Sequence, residues 1–357
     1  MGIFNNKDQY NELLDKYCRM DNHIKQLEKE IDQLKDENSS LKNELETIKS
    51  QENIIELEKV SNNLQQEVNQ LKRHSDVIEK SNNFLFNCLF LDTPLEIVGV
   101  RRNMQVLCQE LLDFVVRVCE KYSLDYWLDF GTLLGALRHE NYIPFDDDMD
   151  ISMTRKDYNR FLEIIGHEIE KNGLDDVLTV KHDFFNKYSQ ITFIQISYSR
   201  NSRLIAAIDI FPYDFIPEKS ITEDKYSLEK RYFRNKIESG ELERDYLEKN
   251  FMRQLNLTYD VEDHMIMGVE CPIRNLIYFE TKEVFPLSEI TFSKKQYNCP
   301  RYSDIHIKKI YGNWKVIPPE IHFHGRLDSL RNNKNVEKIY EEEIRRMREI
   351  NSDFTSH

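Results

Sequence analysis

Residues 146–151 read Asp-Asp-Asp-Met-Asp-Ile, and no other stretch restricts this chain so tightly. Polar and apolar positions alternate over its last four residues. That is the period of a strand, so Asp148 and Asp150 share one face while Met149 and Ile151 face inward. Two carboxylates pointing the same way repel each other unless a cation sits between them. A divalent metal that bridges to a bound phosphate is the economical explanation, and an acidic solvated turn is the bland one. The surroundings favour the metal. Gly131-Thr132 opens an apolar run, Leu133 to Leu137, that reads as a short helix, and Ile143-Pro144-Phe145 is a buried connector into the acidic strand. A helix start rich in free amides, with a hydroxyl beside it, is a natural seat for phosphate oxygens.

The flanking segments fit an alternating order of helix and strand. Met104 to Tyr122 carries an inward stripe of Val106, Leu107, Leu111, Phe114, Val115 and Val118 at helical spacing. Leu124 to Leu128 then reads as a strand, and Asp129 as a capping group ahead of the next helix. Arg138 and His139 follow that helix, where a guanidinium could fork onto a phosphate. Thr154, with Asp157 three residues on, caps a helix through Ile169. Ile191 to Tyr198 and Leu204 to Pro212 alternate as neighbouring strands. Asp209 lies between apolar residues on both sides, and a buried carboxylate without a partner is costly. It is expected to be a third metal ligand or a base, rather than a cap before Pro212; Asp214 reads as a turn residue.

Residues 131–150, GTLLGALRHENYIPFDDDMD, resemble the LicD family of phosphotransferases, which includes the fukutin and fukutin-related proteins. The family pattern runs roughly GTLLGxxRHxxxIPxDDDxD, and Ile208 to Asp214 matches its IDIFPxD-like element. The resemblance covers roughly residues 104 to 326. It implies an α+β, nucleotidyltransferase-like mixed sheet with flanking helices. It further implies a CDP-linked alcohol donor, such as CDP-choline or CDP-ribitol, and a glycan acceptor that takes the phospho-alcohol on a sugar hydroxyl. In that frame Asp148, Asp150 and Asp209 hold Mg²⁺ or Mn²⁺. Gly131, Thr132, Arg138, His139 and Arg155 face the donor phosphates, and Tyr311, Trp314 and His324 line the acceptor side.

The first 82 residues are of another kind. Ile24, Leu27, Ile31, Leu34, Leu41, Leu45 and Ile48 recur at spacings of three and four, with Asn38 at a heptad a position. Glu30–Lys35, Glu37–Lys42 and Glu44–Lys49 then pair g with e in opposite sign, as a parallel homodimer through residues 20–80 requires. The frame slips near residues 50–53 and resumes to Ile78. The expected organisation is a long coiled-coil helix over 1–82, a joint over 83–103, a catalytic domain over 104–330 and a charged helix or tail over 331–357.

A formal charge of −14, from 63 acidic against 49 basic residues, argues against a nucleic-acid partner. Six scattered cysteines without a CxxC pair suggest neither a zinc knuckle nor a disulfide framework, so a reducing cytoplasm is expected. There is no apolar run of transmembrane length, although a peripheral visit to a membrane fits glycan assembly. Two rival readings remain. One is a nucleotidyltransferase that releases pyrophosphate; the other is a coiled-coil scaffold with an inactive transferase domain.

Overall fold

A three-and-four apolar spacing at the N-terminus and a period of two in the centre produce two separate units. The computed structural model describes residues 6–47, 54–86, 97–182, 184–186, 189–315 and 335–353. One unit is built on residues 1–95 with 315–322, the other on 96–314 with 323–357. Ile48, Lys49 and His324 lie outside the described residues.

The first unit is a pair of helices, α1 (Asn6–Thr47) and α2 (Ile54–Phe86). Ile24, Leu27, Ile31 and Asn38 of α1 are buried, as is Val68 of α2. The Asn38 amide donates to Gln65 at 3.2 Å and accepts from Ser61 at 2.8 Å. In one continuous helix Asn38 and Gln65 would stand about 40 Å apart. The two helices therefore run antiparallel, because the six residues between them cannot carry the chain back along a 42-residue helix. The a/d stripe assigned to a parallel homodimer is covered by α2 of the same chain.

The second unit runs α3 (Val100–Tyr122), β1 (Trp127–Leu128), α4 (Phe130–His139), β2 (Met149–Thr154), α5 (Arg155–Lys171), β3 (Leu178–Lys181), β4 (Phe184–Asn186), β5 (Ser189–Ile191), β6 (Ile194–Arg200) and β7 (Arg203–Ile216). It continues through α6 (Glu223–Ser239), α7 (Arg244–Leu255), β8 (His264–Met267), β9 (Tyr278–Glu280), α8 (Thr281–Val284), β10 (Ser288–Phe292), β11 (Lys295–Cys299), α9 (Ser303–Tyr311) and α10 (Val336–Asp353). The main sheet is mixed, with order β1-β2-β7-β6-β3 and with β8 and β9 added along the far half of β7. Only β2 and β7 pair in parallel; their neighbours are antiparallel.

Alternation along these strands decides which face is core. Met149, Ile151, Ile208, Ile210, Ile194 and Ile196 pack with α3 and α5 in one apolar cluster. The opposite face carries Asp150, Asp209 and Gln195, bordered by a second cluster that holds Trp127, Phe130, Phe193, Phe211 and Tyr213. The stretch expected as a charged helix or tail forms α10, which buries Val336, Tyr340, Ile344 and Met347 in the main core, and its Tyr340 hydroxyl donates to the Ile205 carbonyl at 2.9 Å. The body thus begins at α3 and ends with α10. Among the described residues no helix is long and apolar enough to cross a membrane.

Helices α6 and α7 form a pair whose Tyr226, Phe233, Leu247, Phe251 and Leu255 pack on Ile216 and Ile266. Beneath it lies a buried ion cluster that corrects two calls. Arg155, expected to face the donor, is 1 % exposed; it reaches Asp214 at 2.7 and 3.0 Å and Glu270 at 2.5 and 2.7 Å. Asp214 is no turn residue, being a fully buried member of β7. Burial raises both carboxyls, but Glu270 meets Arg155 and Arg244 together and is held down at about 2. Asp214 stays above its ordinary range because burial outweighs Arg155.

Two outcomes follow. Cysteines introduced as Asn38→Cys with Ser61→Cys should oxidise within one chain and run as a compact monomer on a non-reducing gel, whereas a parallel dimer would cross-link through Asn38→Cys alone. Arg155→Met should lower stability in urea unfolding by about 3–5 kcal/mol, because two buried carboxylates lose their partner. A variant of native stability with a weakened donor KM would restore Arg155 to the ligand side.

Candidate active site

The site is built where α4 starts against the acidic end of β2. Asp129 caps α4, and its backbone N–H donates to the Asp150 carbonyl at 3.1 Å. Its side chain is fully buried and accepts from the Phe130 amide (2.8 Å), the Ser152 hydroxyl (2.7 Å) and the Tyr213 hydroxyl (2.9 Å), with His306 Nε2 at 2.9 Å. Burial alone would raise this carboxyl, yet His306, Ser152 and the Phe130 amide outweigh it and hold Asp129 below the ordinary range. Asp129 is therefore a capping hub, as its position ahead of the helix implied. Phe130 takes a left-handed φ of 42°, a strained conformation that this anchoring sustains.

Gly131 and Thr132 come to the acidic strand as expected, but they bind the strand itself. The Gly131 amide donates to Asp150 Oδ2 at 3.1 Å, and the Asp150 amide donates to Thr132 Oγ1 at 2.8 Å. A Cβ at 131 would stand 3.1 Å from Asp146 Oδ2 and 3.3 Å from Asp150 Oδ2. Glycine is there because the carboxylates approach the backbone. The helix start thus donates to the Asp150 carboxylate, which takes the amide expected to seat a phosphate oxygen.

Register then brings the predicted acids together. Asp150 is the direct neighbour of Asp209 in the parallel β2–β7 ladder, and Gln195 is the neighbour of Asp209 across β6–β7. Paired residues project from the same face, so Asp150 and Asp209 stand side by side on strands whose backbones run about 4.8 Å apart. Burial first, then Asp148, Asp209 and Asp146, raise the Asp150 carboxyl well above its ordinary range. One oxygen each from Asp146, Asp147 and Asp148 lies within 4.8 Å of the others. The donors are all carboxylate oxygens, the set that hard Mg²⁺ or Mn²⁺ accepts. Asp146 and Asp147 were passed over in the sequence because alternation selects only 148 and 150; the run of three aspartates was their signal.

The remaining candidates gather at the far end of α4. Arg138 and His139 are half-buried in its last turn, and the Arg138 guanidinium lies 6.0 Å from the centre of the Trp314 ring. Burial lowers the Arg138 guanidinium to about 10, opposed by Tyr311. Tyr311, the last residue of α9, is 37 % exposed as a whole residue although its hydroxyl end is densely surrounded. That crowding, and the charges of Asp150, Asp129 and Asp146, keep the phenol protonated well above its usual range. Arg138, expected on the donor side, and Tyr311 and Trp314, expected on the acceptor side, therefore share one neighbourhood, whereas Arg155 belongs to the ion cluster already described.

The family described as LicD/FKTN/FKRP, nucleotidyltransferase domain, matches residues 123–239. The lipopolysaccharide cholinephosphotransferase LicD of Haemophilus influenzae is 24 % identical over 247 residues, 61 % of this chain and 92 % of the relative. The ribitol 5-phosphate transferase FKRP of Mus musculus is 31 % identical over 109 residues, 29 % of this chain and 20 % of that protein. The human ribitol-5-phosphate transferase FKTN is 32 % identical over 88 residues, 24 % of this chain and 18 % of its own. The chain thus spans nearly all of the bacterial relative and about a fifth of the animal ones. The matched residues 123–239 carry the acidic strand, Asp209 and the capping Asp129, and over this stretch the chain is similar to the LicD/FKTN/FKRP nucleotidyltransferase domain.

Proposed function

We propose that this protein is a metal-dependent transferase that moves a phospho-alcohol, such as phosphocholine, from a CDP-linked donor to a sugar hydroxyl of a cell-surface glycan or its precursor. The observation that carries the reading is the in-register pairing of Asp150 with Asp209, beside Asp148. Like charges at this spacing favour a cation as the third party. Relatives that act on choline phosphate and ribitol phosphate support the phospho-alcohol.

Asp148, Asp150 and Asp209 would hold Mg²⁺ or Mn²⁺, with Asp146 and Asp147 in reach. Bound there, the ion would neutralise phosphate oxygens as the nucleotide leaves. The Gly131 amide and the Thr132 hydroxyl set the direction of Asp150. Arg138 offers a fork to a phosphate. The ring faces of Tyr311 and Trp314 offer stacking surface to the sugar.

Incubation with a panel of CDP-alcohols and Mg²⁺ should release CMP, and Asp150→Asn should reduce the rate by more than about 100-fold. Release of pyrophosphate from a nucleoside triphosphate would instead assign a nucleotidyltransferase. An inert protein that binds no metal would be the scaffold. The raised Asp150 carboxyl also gives a sign for pH. A group whose pKa is raised on folding favours the folded state when protonated, so the metal-free protein loses stability as pH rises above the ordinary aspartate range. Metal competes with that proton, hence Mg²⁺ affinity and Mg²⁺-induced stabilisation should both rise as pH rises above the ordinary aspartate range. Calorimetry in two buffers of different ionisation enthalpy should detect the released proton; an affinity independent of pH would contradict the assignment.

A further inference from the structure

We propose that Gln195 is a positioning residue of this site: its amide, itself locked by Ser197, holds the Asp209 carboxylate in the orientation of a metal ligand. The inference rests on the metal reading above and concerns a residue that touches neither phosphate nor metal in that reading.

Gln195 lies directly across β6–β7 from Asp209, on the same face as Asp150. Gln195 is 5 % exposed, Asp209 7 %, and Ser197 is fully buried. The Gln195 Nε2 donates to Asp209 Oδ1 at 2.7 Å, and the Ser197 hydroxyl donates to Gln195 Oε1 at 3.0 Å. Because an ionised carboxylate only accepts, the amide must present its N–H to Asp209 and its oxygen to the other side. Ser197, two residues along the same face, donates to that oxygen and anchors the amide from its other end. A neutral donor leaves the carboxylate its full charge while fixing its plane. A lysine or arginine here would compete with a cation, and a glutamate would repel. The ladder Asp150–Asp209–Gln195 is thus a row of ligand, ligand and brace across three strands, the arrangement expected where outer partners orient metal-binding carboxylates.

The test uses the full chain and Mn²⁺ alone as probe, followed by electron paramagnetic resonance, with thermal unfolding as a control. Gln195→Met keeps the volume and removes the amide; it should weaken Mn²⁺ binding about 10–100-fold while the protein remains folded. Ser197→Ala keeps the amide but removes its second anchor, and should weaken binding by a smaller factor, about 3-fold or more. Gln195→Met with the parent's Mn²⁺ affinity overturns the proposal; where that variant does not fold, Ser197→Ala with parental affinity overturns it. Asp209→Asn separates the two levels. A parent that binds no Mn²⁺, or binds it equally after Asp209→Asn, defeats the metal reading and this proposal with it. Binding lost in Asp209→Asn but kept in Gln195→Met defeats the role of Gln195 alone.

Discussion

Parallel pairing of β2 with β7 places Asp150 beside Asp209, and much of the second unit bears on that one adjacency. At a separation of about 5 Å and an effective dielectric of about 20, two unit charges repel by roughly 3 kcal/mol. That is a large share of the roughly 5–15 kcal/mol by which a domain is stable. A protonated Asp150 removes the repulsion in the absence of metal, and a dication would convert it into attraction. The Gly131 amide on one side and the Gln195 amide on the other soften the same repulsion without cancelling the charge.

What holds these side chains is a frame of buried polar contacts. Asp129 ties the start of α4 to Ser152 on β2, Tyr213 on β7 and His306 on α9. Each contact lies a few residues from a site group: Ser152 from Asp150, Tyr213 from Asp209, His306 from Tyr311. The capping residue therefore sets distances between elements that are far apart in the chain. Arg155, Asp214 and Glu270 act similarly where β7 meets the loop after β8, and leave the donor phosphates to other groups.

Local pattern made the acidic strand, the helix before it and the β6–β7 hairpin legible in the sequence. Asp209 could be singled out because a carboxylate among isoleucines demands a reason. Gln195 could not, since an amide in an alternating strand looks like any half-exposed polar residue until the register places it beside Asp209. Arg155 was misassigned because its partners, Asp214 and Glu270, lie 59 and 115 residues away, and nothing near it signals burial. The N-terminal heptads specified a stripe and an amide inside it, but a stripe does not say which helix covers it. The charged outer face of α10 hid a buried face of Tyr340, Ile344 and Met347 for a similar reason.

Location of the ion by its own signal tests the central claim most directly. Crystals grown or soaked with Mn²⁺, and measured at a wavelength where manganese scatters anomalously, should give one peak with oxygens of both Asp150 and Asp209 about 2 Å away. A peak bound by Asp146, Asp147 and Asp148 alone, with Asp209 turned away from it, would contradict the account.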